Sequence, residues 1–60
     1  NPARTVVDCF KFRSKVGLDV AIEALREAWR SRAVTMDELR EIAMEHRMNK
    51  VMQPYLEAIV

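Results

Sequence analysis

In residues 18–32, the apolar side chains Leu18, Ala21, Ile22, Leu25, Ala28 and Trp29 recur at helical spacing. Val20 and Ala24 widen their arc to about 200°. Only Asp19, Glu23, Arg26, Glu27 and Arg30 mark a wet face. A helix with so little wet surface must pack against more than one neighbour, which places this segment centrally in a helical bundle. Gly17 breaks the chain in front of it. Asp19 puts a negative charge in the first turn, where the helix dipole favours one. Glu23 with Arg26, and Glu27 with Arg30, are spaced as helical i,i+3 ion pairs.

The string VTMDEL sets the next boundary. Thr35 and Glu38 have the spacing of a capping box, and Val34 and Leu39 occupy the two positions of a hydrophobic staple. The helix that starts here is expected to run to about Arg47. Leu39, Ile42, Ala43 and His46 share its inner face, and Asp37, Glu38, Glu41 and Glu45 its outer one. In residues 49–59, Val51, Met52, Tyr55, Leu56, Ala58 and Ile59 cover an arc of about 160°. Pro54 interrupts this segment on the Gln53 and Glu57 side, away from the apolar arc. There it removes one backbone bond and is expected to bend the helix around the core. Asn49 is placed to cap it.

The first segment, residues 5–13, carries two signals. Its residue types are those of a strand, but neither alternating face is purely apolar. As a helix, Val6, Val7, Cys9 and Phe10 share an arc of about 160°. Phe12 falls outside it. Thr5 followed by Asp8 makes a weaker form of the capping box, and Pro2 fits an extended entry. Helix is the expected state, with a strand as the alternative.

The fold class follows: all-α, a small bundle of about four short helices at approximately 5–13, 18–32, 36–47 and 49–59. One Gly and two Pro in 60 residues favour helices over a turn-rich β fold, and 50% hydrophobic with 32% charged residues is globular composition. Sixty residues make a single domain that buries only ~60% of its unfolded surface, so its isolated stability is marginal. The absent initiator Met and the abrupt start suggest a fragment of a longer protein. The single cysteine, Cys9, excludes an internal disulfide and fits a reducing, cytoplasmic setting. No stretch approaches the ~20 apolar residues of a membrane span.

Net charge is +1, but the charges are segregated. Residues 4–15 hold Arg4, Lys11, Arg13 and Lys15 against Asp8. Residues 37–45 hold Asp37, Glu38, Glu41 and Glu45 against Arg40. Helix-dipole matching accounts for such a pattern; so does a basic patch that meets a polyanion or an acidic partner. Arg26, Arg30 and Arg32 form a second cationic cluster, diluted by Glu23 and Glu27. Residues 18–47 also have the order of a helix-turn-helix, but an acidic reading helix is repelled from a DNA groove.

No catalytic, cofactor-binding or metal-binding set is expected. His46 is the only histidine and lacks a partner at metal-ligand spacing. Cys9 lacks the base and oxyanion site that a nucleophile needs, and no Gly-rich phosphate loop is present. Of the four methionines, Met44 projects from the acidic side of its helix, either as a contact or as stray exposure. Lys11, Arg13, Lys15 and Met44 are the candidate contact residues for a protein partner or DNA.

The run PARTVVDCFKFRSKVGLDVAIEALREA, followed by VMQPYLEAIV, resembles the C-terminal region of AbiEi-type antitoxins. These belong to type IV toxin–antitoxin systems of bacteria. The similar pieces are PART at 2–5, DCFK at 8–11, KVGLD at 15–19, EAL at 23–25, VM at 51–52 and PYLEA at 54–58. None is a catalytic motif; the likeness is one of overall sequence. It implies a non-enzymatic interaction domain of a transcriptional regulator that antagonises a nucleotidyltransferase-like toxin. The main DNA reader would be a winged-helix domain N-terminal to this segment. The resemblance transfers no catalytic residue. The alternative role is accessory DNA contact or dimerisation.

Overall fold

The computed structural model describes all 60 residues, Asn1–Val60. Five helices follow one another: α1 (Pro2–Lys11), α2 (Arg13–Val16), α3 (Leu18–Arg30), α4 (Met36–Glu45) and α5 (Asn49–Ile59). There are no strands, so residues 5–13 resolve as helix. The expected all-α bundle is the architecture found. It differs in detail, because the first expected helix starts earlier and is broken in two.

Helix α1 begins at Pro2 because Asn1 caps it. The Asn1 side-chain oxygen accepts from the Ala3 N–H at 2.9 Å and the Arg4 N–H at 3.3 Å. Pro2 then occupies the first helical position, where its missing N–H costs nothing and its fixed φ is already helical. The proline read as an extended entry is thus a helix starter. Thr5 is not the cap; its hydroxyl donates to the Asn1 carbonyl at 3.2 Å. Phe12, at φ −105° and ψ 27°, ends α1 and precedes the single turn α2. Gly17, at φ 98° and ψ 137°, then turns the chain into α3. That φ lies in the region open to glycine alone at low cost.

The start of α4 forms as its sequence requires. The Glu38 N–H donates to Thr35 Oγ1 at 3.2 Å, and the Thr35 N–H donates to Glu38 Oε1 at 2.9 Å. Val34 and Leu39, the staple pair, are both buried. Helix α5 runs through Pro54, which is exposed. Met48, not Asn49, occupies its N-cap position, and no side chain caps it.

Helices α3 and α4 end alike. The Arg32 N–H donates to the Trp29 carbonyl at 3.1 Å and the Ala33 N–H to the Ala28 carbonyl at 2.9 Å. After α4, the Arg47 N–H donates to Met44 at 3.1 Å and the Met48 N–H to Ala43 at 2.7 Å. This paired bonding is the Schellman ending, whose left-handed residue is usually glycine. Here both left-handed residues are arginines, at φ 60° for Arg32 and 58° for Arg47.

The core is entirely apolar. Ala3, Val6, Val7 and Phe10 from α1 meet Ala21 and Leu25 from α3, Leu39 and Ala43 from α4, and Met52 and Leu56 from α5. Val34 and Met48 close it from the two loops. The Phe10 ring packs on Tyr55, with centroids 5.3 Å apart and planes tilted by 40°. Helix α3 touches α1, α2 and α5, as its broad apolar arc requires. The deeper share of the core, however, comes from α1. Leu18 and Val20, on the flank of α3, remain open to solvent. The Cα radius of gyration, 9.9 Å, is close to the ~10 Å of a compact domain of this length. No helix is long and apolar enough to cross a membrane.

Candidate interaction surface

The basic cluster of residues 11–15 lies at the corner where α1, α2 and α3 join. Its three cations do different things. Lys11 ends α1 and sets its Nζ 5.7 Å from the centroid of the Phe12 ring, within cation–π range. Lys15 is exposed on α2. Arg13 is half-buried and turns back, its Nη1 donating to the Phe10 carbonyl at 2.9 Å. That carbonyl belongs to the last turn of α1, where no helical partner remains for it. Arg13 therefore serves as a C-terminal cap, and the free cations of the corner are Lys11 and Lys15.

The corner's main feature is apolar. Phe12 is 46% exposed, Val16 45%, Leu18 40% and Val20 48%. The Val16 N–H donates to the Phe12 carbonyl at 3.0 Å. These two side chains are therefore one helical turn apart on one face. A Cβ built on Gly17 would lie 3.9 Å from Val20 Cγ2, so Val20 leans over the glycine that joins α2 to α3. Phe12 and Val16 thus share one side of α2, Val20 stands against Gly17, and Lys11 and Lys15 are exposed in the same stretch. Four half-exposed apolar side chains within nine residues are a large share for a domain with only 12 buried residues, which makes this corner the candidate contact surface.

None of the four surface clefts of the molecule includes a residue of this corner. The corner is convex, whereas small ligands occupy concave sites. Residues 12, 16 and 20 were not among the contacts expected from sequence. The available signal was Phe12's position outside the α1 arc, together with its one-turn spacing from Val16.

Met44 does not belong to this corner. It is 66% exposed on α4, as expected of its position among acidic residues. It lines a cleft of about 220 Å³ between α4 and α5, with Arg40, Asn49, Gln53 and Glu57 at the edge and Ala43 and Leu56 beneath. The acidic face of α4 is solvated. Glu38, Glu41 and Glu45 share a second cleft with Asn1, Arg4 and the half-buried His46. Only one ion pair closes within 4 Å anywhere, Glu27 with Arg30 at 3.5 Å. The expected Glu23 pair with Arg26 does not form. No three His, Cys, Asp or Glu side chains converge as metal ligands, and no charged or polar residue is buried.

Comparison of the chain with protein-family models, with curated proteins and with solved structures returns no match.

Proposed function

We propose that this chain is a non-enzymatic interaction domain that engages a protein partner through the corner formed by Phe12, Val16, Val20, Lys11 and Lys15. The observation that carries this reading is the cluster of half-exposed apolar side chains around Gly17. Full burial of such a side chain is worth ~1.5–3 kcal/mol. Covering the exposed half of Phe12, Val16 and Val20 therefore contributes about 2–5 kcal/mol to an association. The lysines at the edge favour a partner with acidic groups around its own apolar patch.

The resemblance to AbiEi-type antitoxins supplies the specific form of the proposal, and that form rests on the sequence likeness alone. The partner would be a nucleotidyltransferase-like toxin, and the chain would be the helical C-terminal part of an antitoxin and transcriptional regulator. Co-expression with the toxin tests it. Removing residues 1–60 from the longer regulator should abolish growth rescue while leaving operator binding by the winged-helix part intact. Full rescue by the truncated protein would refute the antitoxin reading.

A further inference from the structure

A second surface lies at the far end of α3. Trp29, the only tryptophan, is half-buried and forms the common wall of two shallow grooves. On one side the groove is lined by Arg26, Arg30, Ala58 and Ile59. On the other it is lined by Arg32, Val34, Thr35 and Met36. The second groove is largely apolar, the first mixes Trp29, Ala58 and Ile59 with its arginines, and neither is lined by a carboxylate. Arg26 and Arg32 have no ion-pair partner. Arg30 has only Glu27 at 3.5 Å, with both side chains about 70% exposed (70% and 67%), and an ion pair so open to water is weak.

This face is distinct from the Phe12–Val20 corner. Trp29 lies nine residues beyond Val20 on the same helix. At 100° and 1.5 Å per residue, that is about 13 Å along the axis and on the opposite side. Trp, Arg and Met are the residue types enriched at interface centres. Arg32 holds a left-handed conformation, φ 60°, that glycine would adopt without strain.

We infer that Trp29 with Arg26, Arg30 and Arg32 docks an acidic amphipathic helix of a protein partner. Charge complementarity selects the acid: Arg26 and Arg32 have no ion-pair partner, and Arg30 has only the solvent-exposed Glu27. The apolar groove of Trp29, Val34 and Met36 selects a polypeptide over a nucleic acid, because it needs apolar side chains to fill it. Two such side chains one turn apart stand about 5–6 Å from each other on a helix, and straddle a single indole. The inference does not depend on the reading of the Phe12 corner.

Trp29 is its own reporter, since no other indole contributes to the fluorescence. The probe is a synthetic helical peptide with Leu one turn apart on one face and Glu at the other positions. It is compared with the same peptide carrying Gln for every Glu, and with single-stranded oligothymidylate. The Glu peptide should shift Trp29 emission saturably. The Gln peptide, and the Arg26→Gln/Arg32→Gly variant of the chain, should each weaken that binding roughly ten-fold or more. Glycine suits the backbone at position 32, so the variant remains folded, and a thermal melt verifies this. No saturable shift with the Glu peptide would overturn the inference. So would equal binding of the Gln peptide, or tighter binding of the oligonucleotide with the same arginine dependence.

Discussion

Glycine at positions 32 and 47 should stabilise this domain relative to alanine at the same positions. Arg32 and Arg47 are left-handed, at φ 60° and 58°, and both occupy the glycine position of a Schellman ending. A residue with a Cβ loses roughly 1–2 kcal/mol in that conformation. Glycine returns roughly 0.5–1 kcal/mol of this through its greater freedom in the unfolded chain. The arginines also sit beside helix C-termini, where a cation contributes ~0.3–1 kcal/mol. Alanine at the same positions removes the charge but retains the strain, so it is the correct reference. Relative to alanine, glycine should gain about 0.5–1 kcal/mol per site. The two endings share no hydrogen-bond partner, so the effects should add to about 1–2 kcal/mol. A domain of this size shifts by ~4–8 °C per kcal/mol. Arg32→Gly/Arg47→Gly should therefore melt about 8 °C above Arg32→Ala/Arg47→Ala in circular dichroism. A glycine pair that melts at or below the alanine pair would refute the strain argument.

Three further substitutions test other parts of the fold. Thr35→Ala removes the acceptor for the Glu38 N–H and should cost ~1 kcal/mol, seen as a lower melting temperature with unchanged helicity. Gly17→Ala forces a side chain into φ 98° and sets its Cβ 2.7 Å from Asp19 Oδ1. It should cost ~1–3 kcal/mol by denaturant titration, and adding Asp19→Ala should restore only part of that, because the backbone strain remains. Phe10→Ala empties a fully buried site beside Tyr55 at a cost of ~3–5 kcal/mol. At ~0.05–0.15 kcal/mol per residue the whole domain holds only about 3–9 kcal/mol, so the variant should lose about half of its stability or more, read as a sharply lower midpoint in denaturant.

Where a local signal was complete, the sequence specified the structure. Thr35, Glu38, Val34 and Leu39 together defined one helix start, and all four take their expected roles. The start of α1 was misread because Asn1 and Pro2 act as a pair. Proline alone reads as extended chain, whereas proline behind a capping side chain starts a helix. The ends of α3 and α4 had no glycine to mark them. Arginine occupies the left-handed positions, and neither composition nor periodicity signals that. The candidate surface was legible only in part. Lys11 and Lys15 were expected as exposed cations and Met44 as an exposed methionine. Arg13 has the same sequence character as the lysines, but the break at Phe12 brings it back onto the Phe10 carbonyl. Leu18 and Val20 fit the apolar arc of α3, yet periodicity does not distinguish a face that packs internally from one left uncovered.

On the proposed antitoxin reading, the most direct measurement is growth rescue by a longer regulator that contains this chain with Phe12→Ser and Val16→Ser, co-expressed with the toxin that reading requires. Both side chains are nearly half exposed, so the isolated domain should keep its helicity and lose no more than about 0.5 kcal/mol per site. If the corner is the docking surface, rescue should be lost while the fold is retained. A stable double variant that rescues growth as well as the parent would contradict the central claim.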